Sequence, residues 1–283
     1  MSISRKGSRE RGEKAAGLLH SIMKQDYGRI CRGVAEAERK AAELVLQARG
    51  ILAETKSGKR DVVTEYDRRV QTFLIEQLQK LLPDAGFFCE EMKEQDRLDG
   101  RHLFIIDPID GMMNFVHGFH HSCISVAYAE EGTVQAGAVY NPYVDEMFTA
   151  IRGEGAFLNG QPIAVSRDGL SESVVCFGTS PYHPELADRT FRLVRKAFDA
   201  GLDVRREGAA ALDLCTVAAG RAGLYFELQL SLWDYAAGKL IVEEAGGCCC
   251  TVEGESLPKD GRRTGILAGS PAAVEDFLRL ATG

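Results

Sequence analysis

The chain has 283 residues, 45% of them hydrophobic and 27% charged, and a formal net charge of −7 at pH 7. With 30 Gly and only 8 Pro, it has the make-up of a globular protein of one large or two smaller domains. That composition excludes disorder, collagen-like repeats and a small disulfide scaffold.

No apolar run approaches the roughly 18 residues of a membrane span, and the charged N-terminus lacks the apolar stretch of a secretion signal. The acidic balance gives no general footprint for nucleic acid or an anionic membrane. A cytoplasmic protein with neither as partner is expected, and its charge suits one that holds cations. The eight cysteines, at 31, 89, 123, 176, 215 and 248–250, contain no Cys-x-x-Cys pair. They read as reduced, buried small hydrophobes.

In chain order, residues 1–28 are expected to form a charged tail and helix. Residues 29–55, rich in Ala, Leu and Glu at helical spacing, predict a helix. A second helix begins near Thr64 and ends before Pro83. Strands follow at 87–88, 103–106, 123–128 and 134–140, the last two joined as a hairpin at Gly132-Thr133. Asn159-Gly160 marks a further hairpin turn. The second half predicts strands at 173–177, 224–227 and 266–268, and helices at 185–200, 209–219, 233–244 and 274–280. A mixed, layered fold of strand clusters covered by helices follows. A soft boundary near residue 150 gives an N-terminal lobe over 29–150 and a C-terminal lobe over 151–283.

No Gly-x-Gly-x-x-Gly, Gly-x-x-x-x-Gly-Lys-Ser/Thr, His-Glu-x-x-His or Gly-x-Ser-x-Gly is present, which disfavours common dinucleotide, nucleoside-triphosphate, zincin and serine-hydrolase readings. The informative stretch is Phe104-Ile-Ile-Asp-Pro-Ile-Asp-Gly-Met-Met-Asn-Phe115. An apolar strand runs into an acid, and Pro108, which has no N–H, ends its pairing. Asp107 and Asp110 then stand three apart across a tight turn, where both carboxylates can converge. Gly111 lets the backbone approach a ligand, and the amides after it can open a helix and seat a phosphate. Hard oxygen ligands beside such amides suit Mg²⁺ on a phosphoryl group. Taken alone, the stretch also reads as an Asx-rich turn. It is not alone, because Glu90-Glu91 follows the 87–88 strand and Trp233-Asp234 opens a helix after the 224–227 strand.

With these residues in view, the chain resembles the inositol monophosphatase family of Mg²⁺-dependent, Li⁺-sensitive phosphatases over roughly residues 30–280. Asp107-Pro-Ile-Asp-Gly…Asn114-Phe115 is similar to the family's Asp-Pro-Ile/Leu-Asp-Gly-Thr-x-Asn-Phe, and Trp233-Asp234-x-Ala-x-Gly238 to its second signature. Val63-Thr64-x-x-Asp67, Glu90-Glu91 and Gly153-x-Gly155-Ala-Phe-x-Asn159-Gly160 match three further elements.

The resemblance implies an α+β fold layered α-β-α-β-α, of the inositol monophosphatase and sugar phosphatase type, and a homodimer. It implies two to three Mg²⁺ ions. Glu90, Asp107 and the Ile109 carbonyl would hold one, and Asp107, Asp110 and Asp234 a second. A third would sit near Glu90 and Asp67. One ion would lower the pKa of the attacking water and the other stabilise the leaving alkoxide. The backbone amides of Gly111 and Met112 would contact phosphate. Glu227 would accept hydrogen bonds from a polyol, and Ala210 would line the substrate pocket. Together with Asp110 and Asp234 these four make the expected substrate site. Lys56 matches a basic position, and a solvated lysine is an equal reading.

Two positions depart from the family. Cys89 stands where glycine is usual and reads as a buried thiol. Met112 stands where threonine is usual. That hydroxyl helps position the attacking water, supported by the acid at the Asp67 position, so Glu90, Asp67 and Met112 mark the expected catalytic positions, with Met112 slowing turnover. His117, His120 and His121 read as structural or rim residues rather than zinc ligands. Cys248-Cys-Cys250 reads as core packing in a buried strand.

The expected function is hydrolysis of a small phosphorylated metabolite, inositol monophosphate first. Fructose 1,6-bisphosphate, NADP(H) and 3′-phosphoadenosine 5′-phosphate are the alternative substrates, and a catalytically weakened binding protein is the alternative of another class.

Overall fold

A computed structural model describes residues 26–58 and 61–282, with side chains described outside 56–62 and 282. The expected tail over residues 1–25 and the expected role of the Lys56 side chain lie outside the described residues.

Helix α1 covers residues 26–46, and a hairpin of β1 (Ala53–Gly58) and β2 (Asp61–Thr64) follows. The helix expected over 29–55 therefore stops nine residues early. Gly50, at φ 58°, turns the chain left-handed four residues past the helix end, and residues 53–55 pair with 62–64 instead. Helix α2 (Glu65–Leu81) starts where expected, with Thr64 as N-cap.

Seven strands build the first sheet: β3 (Gly86–Cys89), β4 (His102–Asp110), β5 (Cys123–Glu130), β6 (Thr133–Asn141), β7 (Glu146–Ile151), β8 (Gly155–Leu158) and β9 (Gln161–Ile163), in that order. Only β3 and β4 run parallel; the other pairs are antiparallel. Glu131 and Gly132, at φ 48° and 74°, make the β5–β6 turn, and Asn159 and Gly160, at 49° and 77°, make the β8–β9 turn, as type I′ hairpins require. This sheet runs on to Ile163, and the first strand of the other sheet begins at Val174.

The second sheet holds β10 (Val174–Phe177), β11 (Asp203–Arg205), β12 (Leu224–Leu230), β13 (Cys248–Cys250) and β14 (Thr264–Gly269), in the order β11-β10-β12-β14-β13. Its helices are α4 (Ala187–Ala200), α5 (Ala210–Ala218), α6 (Leu232–Glu244) and α7 (Pro271–Thr282); the short α3 (Met112–His117) follows β4.

Side-chain alternation sets the layers. Phe104 and Ile106 face α1 and α2, packing with Val34, Leu74 and Leu78. Leu103 and Ile105 face the other way, with α5, α6 and the inner face of the second sheet, which supplies Tyr225, Ile266 and Ala268. Phe226 and Leu267 point outward onto Leu193 of α4 and Phe277 of α7. The result is the expected α-β-α-β-α sandwich of an α+β protein. Gly238 lets α5 and α6 meet closely, since a Cβ there would stand 2.7 Å from Leu214 Cδ1.

Cys31, Cys89, Cys123, Cys176 and Cys215 are buried free thiols. Cys248, Cys249 and Cys250 pack against the core as expected, but they are half-buried rather than buried, because β13 is a sheet edge.

Candidate active site

The first two acids come together through strand register. In the parallel β3–β4 pair Cys89 stands opposite Ile106, so Glu90 and Asp107 leave adjacent strands at the same end. β4 does not stop at Pro108, as the sequence suggested, but continues to Asp110. Its ladder with β5 slips there, with Asp107 opposite Ser125 and Asp110 opposite Cys123. A proline lacking its N–H is tolerated at such a bulge, and the slip re-aims the two aspartates. Asp107 Oδ1 accepts the Ile109 N–H at 3.1 Å, so the Asx turn and the convergence of acids coexist.

Gly111 follows at φ 85° as the N-cap of α3. A Cβ there would lie 3.0 Å from both Ala209 Cβ and His121 O, so a larger residue would be crowded as well as strained in φ. Asn114 donates to His121 O at 2.7 Å and Glu207 O at 2.8 Å, tying α3 to the loop before α5.

Asp234 arrives from a helix start. Ser231 caps α6, and its N–H donates to Asp234 Oδ2 at 2.7 Å in a capping box. Asp67 repeats the arrangement on α2, where Oδ2 accepts from Thr64 N at 2.8 Å and Thr64 Oγ1 at 2.6 Å. Each acid is a good third helical residue and is also fixed in rotamer by the box.

One cleft of about 330 Å³ is lined by Glu90, Asp107, Ile109, Asp110, Gly111, Met112, Ala210, Glu227 and Asp234. Asp67 does not line it. That residue is buried behind and feels the charges of Glu90 and Glu91. Glu227 is held on both oxygens, by Ser180 N–H at 2.6 Å and Tyr225 O–H at 2.7 Å. The side chain of Met112 packs with the α1–α2 core and is nearly buried.

Burial pushes the carboxyls of Asp107 and Asp234 well above the usual range, and the neighbouring carboxylates, Glu90 first, push them further. Asp110 rises to about 7 from burial, with the Ala211 amide opposing and Glu227 and Glu90 adding. Asp67 also rises to about 7, chiefly from burial, against its two bonds from Thr64. Burial likewise raises Glu227. Acids that raise one another's pKa form a group whose charge a cation would relieve.

Among the described residues, no three Asp, Glu, His or Cys side chains are drawn into a ready-made ligand group; Glu90, Asp107, Asp110 and Asp234 instead repel one another along the cleft wall. Their chemistry is nonetheless that of a hard divalent cation: all-oxygen, charge-dense and oriented by backbone amides. The histidines do not gather. His120 stacks on Tyr143 at 5.2 Å, and His121 faces Glu207 at 3.9 Å.

The cleft also contains residues that the sequence reading missed. Asp213, in the first turn of α5, is buried with Oδ1 unpartnered and its carboxyl pushed up by burial. It is the single charged residue of that helix, a signal visible in the sequence. Arg206, Arg263, His183 and Gln229 complete the wall. They come from loops and a strand with no local motif.

A family model described as "Inositol monophosphatase family" matches residues 27–281. The chain is 40% identical over 202 residues to an inositol-1-monophosphatase of Rhizobium meliloti, covering 71% of this chain and 76% of the relative. It is 36% identical over 247 residues to a protein of Haemophilus influenzae named Nus factor SuhB, covering 86% and 91%. A solved IMPase/NADP phosphatase, complexed with Mg²⁺ and phosphate, superposes with a TM-score of 0.75 at 26% identity, over 95% of each chain. No described helix is long and apolar enough to cross a membrane.

Proposed function

Because this chain belongs to the inositol monophosphatase family, we propose that it is a Mg²⁺-dependent phosphomonoesterase of a small phosphorylated polyol, with inositol monophosphate as its first substrate. The observation that carries this reading is the gathering of Glu90, Asp107, Asp110 and Asp234 on one cleft beside the Gly111 turn.

Glu90, Asp107 and the Ile109 carbonyl would hold one ion, Asp107, Asp110 and Asp234 a second, and Glu90 with Asp67 a third. Mg²⁺ in those places would neutralise the carboxylates and make water a better nucleophile at neutral pH. The rest is done by the chain. The amides of Gly111 and Met112 seat the phosphate, and Ala210 leaves room for the ring. Glu227, locked by Tyr225 and Ser180, accepts hydrogen bonds from substrate hydroxyls. Asp67 sits behind Glu90, fixed by Thr64, where it would support the third ion and the attacking water. Li⁺ sensitivity, a cytoplasmic location and a homodimer belong to the same reading. Phe119, 73% exposed, is an apolar group that a second copy would cover.

A binding role with weakened turnover is the second reading, and Met112 favours it because a thioether cannot donate the hydrogen bond of a threonine hydroxyl. The test is phosphate release from myo-inositol 1-phosphate, fructose 1,6-bisphosphate, NADP and 3′-phosphoadenosine 5′-phosphate, with and without Li⁺. Mg²⁺-dependent release from any of the four supports the first reading. Silence on all four supports the second.

A further inference from the structure

Arg206 and Arg263 stand in the same cleft as the carboxylates, yet the bonds that hold them come from neutral groups. Arg263 donates through Nε to Ser231 Oγ at 3.2 Å, and its Nη1 lies 3.3 Å from His183 Nε2. His183 Nδ1 faces Glu185 Oε1 at 3.0 Å, and Gln229 Nε2 lies 3.2 Å from His183 Nε2. With two donors converging on Nε2 and a carboxylate at Nδ1, the neutral Nδ1–H tautomer satisfies every contact. Arg263 is therefore fixed in direction by a serine and an imidazole.

Arg206 reaches Thr179 Oγ1 at 3.4 Å. The carboxylates of Glu227 and Asp213 feel its charge at a distance, but neither forms an ion pair with it among the described residues. The two guanidinium groups flank the loop that follows β10, Arg206 at Thr179 and Arg263 at His183. Elsewhere, arginines of this chain close directly onto carboxylates, as Arg221 does on Glu146 and Arg189 on Glu253.

Resting on the phosphatase reading above, we propose that Arg206 and Arg263 form a second anion subsite, and that the preferred substrate carries a second phosphate or carboxylate besides the phosphate that is cleaved. Guanidinium groups match such oxyanions with paired, charge-assisted hydrogen bonds. Held in place by neutral partners, they need break no ion pair to receive one. The acidic wall takes the cation-bound end of the substrate, and the basic rim takes the far end. A singly phosphorylated polyol fills only the first. The contacts act on binding, so KM changes more than kcat.

The matched pair myo-inositol 1-phosphate and myo-inositol 1,4-bisphosphate differ only in the second phosphate. On the full chain with Mg²⁺, the bisphosphate has a kcat/KM about tenfold or more above that of the monophosphate. The preference shrinks as NaCl is raised. Arg263→Met and Arg206→Met each collapse it through KM, while Arg263→Lys keeps part of it. Equal efficiency on the two substrates, or a preference untouched in both Met variants, would overturn the subsite while leaving the phosphatase reading standing. Silence on both substrates would instead remove the phosphatase reading, and the subsite with it.

Discussion

Asp110 Oδ2 accepts the backbone N–H of Ala211 at 2.7 Å, joining the end of β4 to the first turn of α5 across 101 positions of sequence. One carboxylate thus serves as a sheet-to-helix clasp and as a member of the acidic cleft. Asp110→Asn keeps an acceptor oxygen but loses the charge. The expected outcome is a thermal midpoint within a few degrees of wild type and an apparent Mg²⁺ affinity lower by at least about tenfold, read by Mg²⁺ titration of phosphate release. Affinity unchanged in a folded Asp110→Asn protein would place the cation elsewhere.

Met112→Thr restores the hydroxyl that the family pattern has at this position. Turnover should rise, by about tenfold or more if the hydroxyl takes a normal share of acid–base assistance. The thermal midpoint should fall, because the thioether packs with the α1–α2 core. An unchanged or lower kcat sinks the explanation and makes Met112 a packing choice.

Mg²⁺ should stabilise the fold by relieving the repulsion among Asp107, Asp110, Asp234 and Glu90. Preferential binding to the native state adds roughly 2.7 kcal/mol at a hundredfold excess over Kd. Thermal denaturation in EDTA against millimolar MgCl₂ measures this directly, and the shift should vanish in Asp107→Asn.

Glu38 carries a separate pH dependence. It lies on α1, fully buried, with neither oxygen in a hydrogen bond. Burial raises its carboxyl well above the ordinary 4.5; the Val126 backbone, short of hydrogen-bond geometry, and Arg39 offset only part of this. Cys31 is the neighbouring thiol that feels its charge. The folded state therefore keeps a proton that the unfolded chain has lost. Glu38's contribution to stability is intact below about pH 4.5, falls as pH rises toward the folded value, and levels off beyond it. Glu38→Gln should flatten that component of the stability–pH curve, and Glu38→Leu should stabilise by about 1–3 kcal/mol at pH 8. A curve identical in all three proteins would show that Glu38 does not titrate between the two states.

Much of the fold was legible because its signals are local. Thr64 announced α2, Gly132-Thr133 and Asn159-Gly160 announced their turns, and the acids after 87–88, after 103–106 and at 233–234 mark the residues that the cleft brings together. The misreadings have tertiary causes. Residues 53–55 have helical composition but find strand partners at 62–64. Pro108 reads as a strand stop, yet a bulge absorbs it. The short strands β7, β8, β9 and β11 take their stability from neighbours rather than from their own pattern. Arg206, Arg263 and Gln229 reach the cleft only through the chain's path, so no spacing could have paired them with Asp107. Asp67, expected beside Glu90, is buried behind the cleft rather than on its wall, because Thr64 holds its carboxylate.

The most direct test of the central claim is phosphate release from myo-inositol 1-phosphate by the full chain, with Mg²⁺ or EDTA, beside Asp107→Asn. The acidic cleft as a phosphomonoesterase centre requires release that depends on Mg²⁺ and is abolished in Asp107→Asn while that variant remains folded. Release that persists in EDTA or in the folded variant would contradict it.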